Sequence, residues 1–114
     1  MTSYLDIDSA GFDIGRIDDI IHGRIRLGIM AVLSGVESAD FNTLKARLQT
    51  TDGNLSVHLR KLEEAGFVAI DKRFQGRKPL TEARMTDAGR AAFVAYLDAM
   101  AGLTRRLTTG RTPG

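Results

Sequence analysis

The sequence predicts a single, mainly α-helical domain with one small β-hairpin, and three observations lead to this prediction. Before Gly66, apolar residues recur at helical spacing in three successive stretches. Between Gly66 and Thr86 the apolar period becomes alternating, which is typical of two strands joined by a turn. After Thr86 the helical spacing returns and continues to about Leu107. The chain of 114 residues fits one domain of this kind.

These patterns divide the chain into an N-terminal arm at residues 1–16, a folded domain at residues 17–107 and a flexible tail at residues 108–114. The arm is rich in aspartate and has few apolar residues, so we expect it to be partly disordered or to dock on a neighbouring subunit. The tail, TTGRTPG, has no periodicity and is expected to fray.

Composition narrows the classes of function. Sixteen Lys and Arg against fourteen Asp and Glu leave a formal charge of only +2, which permits nucleic-acid binding without demanding it. The chain has no cysteine, which excludes disulfides, thiolate metal sites and cysteine nucleophiles. No apolar run approaches the roughly 20 residues that span a bilayer, and the acidic N-terminus lacks the apolar segment of a secretory signal. We therefore expect a cytoplasmic protein with no membrane contact.

The first helix is predicted at Ile17–Ser34. Its apolar face is wider than one small neighbour can cover, so the helix is either central to the core or also meets a second chain. Gly35–Asp40 is expected to be a turn, with one extended residue at Phe41. Asn42 is then expected to cap a short helix at Thr43–Gln49.

The next helix, at Thr51–Gly66, has signals at both ends. Thr51 can cap the first turn, Asp52 places a negative charge at the positive end of the dipole, and Gly66 can close the helix. The face opposite its leucines is small at Gly53, polar at its edges and cationic further on. The leucines that form the buried stripe are Leu55, Leu59 and Leu62.

These two helices, joined by a tight turn, form a helix-turn-helix. A helix that enters a DNA major groove needs little bulk where backbones approach, hydrogen-bonding side chains for base edges, and Arg or Lys for phosphates. The face of the second helix meets these needs. The competing interpretation is an ordinary amphipathic surface helix.

The alternating segment predicts a hairpin with a strand at Phe67–Gln75, a turn around Gly76–Pro79 and a second strand at Leu80–Met85. Charge runs usually form solvated faces, but a cationic hairpin beside a helix-turn-helix favours phosphate or minor-groove contact. Its tip carries no acid and three cations: Arg73, Arg77 and Lys78.

Thr86 is expected to cap the last helix, which would run roughly 30 Å to about Leu107. Its length and its second apolar face favour a subunit interface over simple closure of the core. The residues expected at this interface, on the first and last helices, are Ile20, Leu27, Tyr96 and Leu103.

Four stretches in this order carry a family resemblance: IRLGIMAVL, FNTLKARL, TTDGNLSVHLRKLEEAGFV and ARMTDAGRAAF. With them the chain resembles winged helix-turn-helix transcriptional regulators of the MarR/ArsR type, and in particular their short, single-domain members. The resemblance covers about residues 18–103. It implies a winged helix-turn-helix whose long C-terminal helix mediates dimerisation, and a homodimer that binds double-stranded DNA at a pseudo-palindromic operator.

The resemblance also implies positions for the DNA contacts. His58 is one of these positions, but an ideal helical wheel puts it on the flank of the leucine stripe, where it packs or touches phosphate more readily than it reads a base. Asp52 can accept from cytosine N4, but helix capping is its favoured role. On the helix predicted at Thr51–Gly66, which would be the recognition helix, the implied contacts are Thr51, Asp52, Asn54, Ser56, Val57, His58 and Arg60. On the predicted hairpin, which would be the wing, they are Arg73, Arg77 and Lys78.

No metal or other cofactor is expected. Metal-sensing relatives need clusters of Cys or of His and Asp, and the one candidate group here, Asp18 or Asp19 with His22, has too few ligands. A small-molecule effector at the dimer interface stays open, and nothing in the sequence identifies one.

Two other functions compete with DNA-binding regulation. The stronger is a winged-helix protein–protein interaction module without DNA binding, in which the basic wing is a solvated loop. A continuous positive face across the recognition helix and the wing would weaken that alternative. An enzyme is not expected, because Ser56 and His58 point in divergent directions on a helix and no phosphate loop or nucleophile elbow is present.

Overall fold

The computed structural model describes residues 18–111, so the arm predicted at residues 1–16 and the last three residues of the predicted tail lie outside the described residues. This part of the chain forms four helices: α1 (Arg24–Ser34), α2 (Phe41–Leu48), α3 (Asp52–Glu64) and α4 (Asp87–Arg111). One antiparallel sheet has the strand order β1-β3-β2, with β1 at Ala39–Asp40, β2 at Val68–Gln75 and β3 at Lys78–Met85. The predicted fold class, mainly helical with a small hairpin, is confirmed.

The first helix starts later than predicted, because a turn replaces its first part. The Asp18 carboxylate accepts hydrogen bonds from the backbone amides of Ile20 at 2.8 Å and Ile21 at 3.4 Å. Gly23 then adopts a φ of 151°, which no helix accommodates, and α1 begins at Arg24. The predicted start at Ile17 is therefore wrong, although Ile21, within the predicted range, is fully buried in the core.

Helix α2, which precedes α3, is also capped by a different residue from the one predicted. The backbone amide of Thr43 donates to the Asp40 carboxylate at 2.7 Å, so α2 begins at Phe41. The predicted cap at Asn42 and the extended residue at Phe41 are both wrong. The extended residues are Ala39 and Asp40, which pair with β3.

The core lies between the helices and the face of the sheet that carries Val68 and Ala83. The three leucines of α3 point into it, as predicted, and α4 adds Phe93 and Tyr96. Burying each such side chain contributes about 1.5–3 kcal/mol of transfer free energy. The buried cluster comprises Ile21, Ile25, Ile29, Met30, Leu33, Leu44, Leu55, Leu59, Leu62, Val68, Ala83, Phe93 and Tyr96.

The base of the hairpin is held directly against the start of α4. Thr86 caps α4 as predicted: its Oγ1 accepts from the Gly89 amide at 2.9 Å and donates to the Gly66 carbonyl at 2.6 Å. Gly89 lies so close to the backbone just before β2 that a Cβ added to it would lie 2.0 Å from the Phe67 carbonyl oxygen. The contact fixes where the hairpin leaves the domain.

The last helix is longer than predicted. It continues to Arg111, so residues 108–111, which were predicted to start an irregular tail, are helical. None of the helices in residues 18–111 has the length and apolarity that crossing a bilayer requires.

Candidate nucleic-acid interface

The start of α3 is organised by its own cap and by a contact with α2. The Asn54 amide donates to Thr51 Oγ1 at 3.2 Å, which confirms Thr51 as the N-cap. Lys45 Nζ lies 2.8 Å from Asp52 Oδ1 across the turn of the helix-turn-helix. The side-chain cap of α3 is therefore formed by Thr51, whereas the Asp52 carboxylate pairs with Lys45 of α2.

The outward face of α3 carries most of the predicted base and phosphate contacts. Asn54, Ser56, Val57 and Arg60 are all exposed, with Val57 53% exposed. Lys61, which is also exposed, extends the cationic part of this face toward the end of the helix. The face therefore offers one amide, one hydroxyl, one apolar contact and two cations, a set suited to base edges and phosphates.

His58 lies on the flank of α3 and packs against α1. Its Nδ1 accepts a hydrogen bond from Arg26 Nη1 at 3.2 Å, because a guanidinium only donates. Burial lowers the pKa of His58 below its ordinary value, and the positive charges of Arg26 and Lys61 lower it further. The hydrogen bond from Arg26 and the lowered pKa both favour the neutral imidazole.

The wing is the β2–β3 hairpin, closed by a two-residue turn at Gly76–Arg77. Residues paired across the strands share a face of the sheet, and faces alternate along each strand. We call inner the face formed by Val68, Ile70, Lys72, Phe74, Pro79, Thr81, Ala83 and Met85, and outer the face that carries Asp71, Arg73, Leu80 and Glu82. The predicted turn at Gly76–Pro79 is too long, since Lys78 and Pro79 already belong to β3.

A groove separates the inner face of the wing from α3. It has a volume of about 430 Å³. Arg60 of α3 and Lys72 of β2 both line it, so the groove brings together cations that are distant in sequence. Its lining residues are Phe41, Ser56, Leu59, Arg60, Glu63, Ile70, Lys72 and Thr81.

The cation predicted at Arg73 is neutralised on the outer face. Its Nη1 lies 2.5 Å from Asp71 Oδ2 and its Nη2 lies 2.6 Å from Glu82 Oε1. Hydrogen bonds to Glu82 and then to Asp71 raise the pKa of Arg73 above its ordinary value. The expectation of a wing tip without acids therefore fails at this residue, because the hairpin register brings Glu82 beside Arg73.

Two wing residues were missed by sequence reasoning. Lys72 lines the groove opposite Arg60, and Phe74 is 71% exposed, the highest value among the large hydrophobic residues of the described chain. The alternation of strand residues was the signal for both. With the turn at Gly76–Arg77, Lys72 and Phe74 fall on the inner face, whereas Arg73 falls on the outer one.

The residues predicted for a dimer interface differ in their surroundings. Ile20 is 37% exposed, while Leu27 and Leu103 are half-buried. Tyr96 is covered by its own chain, and its hydroxyl lies 2.9 Å from His22 Nδ1. In the described part of α4, the large apolar side chains open to solvent are Val94, Leu97 and Leu107.

Of the two aspartates considered as metal ligands, Asp18 has a structural role. Asp18 holds the turn before α1 through its carboxylate, as described above. Across residues 18–111, no group of three or more His, Asp or Glu side chains is placed to hold a metal ion.

The sequence of the chain is similar to those of known proteins with a winged-helix domain. A family model described as a winged helix DNA-binding domain matches residues 25–104 of the chain. An uncharacterized protein of Methanocaldococcus jannaschii is 40% identical over 88 residues, which span 77% of this chain and 96% of that protein.

Solved structures are similar as well. A transcriptional regulator homologue from Pyrococcus horikoshii OT3 is 33% identical with a TM-score of 0.73, covering 77% of this chain and 87% of that one. A protein of Enterococcus faecalis V583 assigned to the MarR family of transcriptional regulators is 25% identical with a TM-score of 0.67, covering 82% of this chain and 84% of that one. The family resemblance carried by the sequence motifs is confirmed.

Proposed function

The chain belongs to the winged helix DNA-binding domain family, and we propose that it is a sequence-specific transcriptional regulator that binds a pseudo-palindromic operator as a homodimer. One observation carries the proposal. The exposed polar and cationic face of α3 and the inner face of the wing border the same groove, with Arg60 and Lys72 on its two sides. A duplex that receives α3 in its major groove meets both surfaces at once.

The roles of the α3 residues follow from their chemistry. Asn54 can pair with adenine through its amide, and Val57 can pack on a thymine methyl group. Ser56 can donate to or accept from either kind of base. These side chains supply sequence preference, whereas Arg60 and Lys61 supply phosphate contacts that fix the register of the helix.

The wing contributes through Lys72, Arg77 and Lys78. The structure supports Lys72 in place of Arg73 as a phosphate contact, since two carboxylates already occupy Arg73. His58 positions α3 on α1 through Arg26 and does not read a base. Arg60 and Lys72 line the groove together with one acid, Glu63, and this excess of cations favours DNA binding over the protein–protein interaction module.

A second copy of the chain is the partner best suited to α4. The helix has 25 residues and is about 37 Å long. Its exposed Val94, Leu97 and Leu107 are apolar side chains that the subunit itself leaves uncovered. In a two-fold symmetric dimer built on α4, the two α3 helices enter successive major grooves about 34 Å apart. Such a regulator acts in the cytoplasm, and no effector is assigned to it.

The test is selection from a random-sequence DNA pool at two salt concentrations, with the bound fraction sequenced and its mass measured by sedimentation. The proposal predicts enrichment of a two-fold symmetric site bound by two copies, with half-sites about one helical turn apart. It also predicts affinity that falls steeply with salt. Weak binding that salt abolishes, without any enriched sequence, would contradict specific regulation and favour the interaction module.

A further inference from the structure

An exposed aromatic side chain stands near the tip of the wing. Phe74 is 71% exposed on the inner face, and its cross-strand partner is Pro79. Aromatic side chains carry roughly 150–250 Å² of surface that folding normally buries. Leaving one in water at the end of a hairpin is unfavourable unless a partner covers it.

The surroundings of Phe74 indicate the chemistry of that partner. Lys72 precedes it on the same face, Arg77 follows in the turn, and Lys78 lies at the start of β3 on the edge that belongs to the outer face. Within β2 and β3, both fully described, the acids Asp71 and Glu82 lie on the outer face, and the inner face has none. An apolar centre with a cationic rim fits a polyanionic groove. It is a poor contact between two copies, because their cations would be brought together.

The length of the free hairpin matches the spacing of the grooves. Residues 71–79 are all exposed, and Asp71 lies opposite Glu82, which also pairs with Asp40 of β1, so about five residues, 72–76, project beyond the three-stranded part of the sheet. At roughly 3.3 Å per residue they reach about 17 Å. This is about half of the helical turn of B-DNA, near 34 Å, and so close to the offset between a major groove and the next minor groove.

We propose that Phe74, backed by Pro79, inserts into the minor groove that flanks each half-site and loosens one base step there. This inference rests on the proposed function and deepens it. Apolar wedges that bind the minor groove partly unstack a step, and pyrimidine–purine steps are the easiest to open. The wing therefore reads the deformability of the flanking DNA, whereas α3 reads base edges.

The inference is tested with the duplex enriched by selection, carrying 2-aminopurine at successive flanking positions. Binding of the wild-type protein should raise the fluorescence at one flanking step on each side. Phe74→Ala should abolish this rise and weaken affinity about tenfold, with an unchanged dependence on salt. Phe74→Leu keeps an apolar wedge and should recover most of the affinity.

Two variants serve as controls. Arg77→Ala should lower the salt slope by about 1 and keep the fluorescence rise. Leu80→Ala removes an apolar side chain from the outer face of the same hairpin and should leave both readouts at the wild-type level. Because Phe74 is exposed, its replacement should leave the melting temperature near that of the wild type.

The possible results separate the two proposals. If the wild type binds no DNA, the proposed function fails and this inference fails with it. If the wild type binds and Phe74→Ala binds equally well, or the fluorescence never rises, only the wedge is contradicted. A loss of dimer mass in Phe74→Ala would also overturn it, since Phe74 would then be a contact between copies.

Discussion

Helix α3 and the wing were both predicted to contact DNA, but they differ in how their surfaces are determined. In α3 the cap, the dipole charge and the leucine stripe are all local in sequence, and the structure reproduces each of them. In the wing, whether a cationic side chain is free to contact DNA depends on the residues of the neighbouring strand beside it. Arg73 is held by Asp71 and Glu82, whereas Lys72, its neighbour in sequence, lies on the other face. A strand side chain therefore has to be judged with its cross-strand partners.

The largest expected effect comes from breaking the anchor of the wing. Gly89→Ala would place a Cβ 2.0 Å from the backbone carbonyl of Phe67, and neither helix nor strand can yield without moving the hairpin. We expect a loss of about 3 kcal/mol or more of unfolding free energy. Thermal denaturation should show a fall of at least about 10 °C in melting temperature.

The matched control is Gly53→Ala in α3, where nothing lies within 4 Å of the new Cβ. Removing glycine from a helix should stabilise the protein by up to about 1 kcal/mol. Because the added methyl group lies on the groove-facing side, DNA affinity should fall while stability rises. Equal melting temperatures for the two alanine variants would show that the Gly89 contact is not an anchor.

Next in size is the loss of base reading by α3. Asn54→Ala should reduce discrimination at one position of each half-site by about 1–3 kcal/mol, since an amide that pairs with a base edge is removed. The melting temperature should change little, because only the backbone amide of Asn54 takes part in the cap. Selection with the variant should give a site degenerate at that position. An unchanged site would place base reading elsewhere.

A smaller effect should distinguish the cations of the wing from one another. Arg77→Ala should weaken binding to all sequences and lower the salt slope by about 1. The double variant Asp71→Asn with Glu82→Gln releases Arg73 and should strengthen nonspecific binding, measured by titration of a mixed-sequence duplex. No gain from the double variant would mean that Arg73 does not reach DNA even when its two carboxylate partners are removed.

The smallest effect concerns His58. Its folded pKa lies below the unfolded value of 6.5, so the unfolded chain binds a proton first as pH falls. The contribution of His58 to stability is thus fully present above about pH 6.5 and is lost as pH drops through the folded pKa. Denaturant unfolding of His58→Gln should show a weaker decline across this range than the wild type. An identical pH profile would contradict the neutral, Arg26-bound imidazole.

Features specified by a few adjacent residues could be predicted from the sequence. The caps at Thr51 and Thr86 and the stripe of Leu55, Leu59 and Leu62 are examples. The start of the first helix was misjudged because Ile17–Ser34 has continuous helical spacing. The turn held by Asp18 still keeps Ile21 in the core, so a turn and a helix give the same apolar pattern there.

Features that depend on partners distant in sequence could not be predicted in the same way. Asp40 and Asn42 are both good caps, and the pairing of Asp40 with Glu82 in the sheet favours the earlier helix start. The ion pairs of Arg73 and the exposure of Phe74 depend on the pairing register of the hairpin, which places Glu82 beside Arg73 and Pro79 opposite Phe74. The expected four-residue turn would shift this register by two residues, which changes the cross-strand partners but keeps each side chain on the same face.

The most direct test is dimethyl sulfate footprinting of the protein on its selected site, because this reagent methylates guanine N7 in the major groove and adenine N3 in the minor groove. Two segments about one helical turn apart should be protected at guanine N7, with protection at adenine N3 outside each of them. This pattern requires two copies, α3 in the major groove and the inner face of the wing on the flanking DNA. A single protected segment, or protection spread evenly along the duplex, would contradict the central claim.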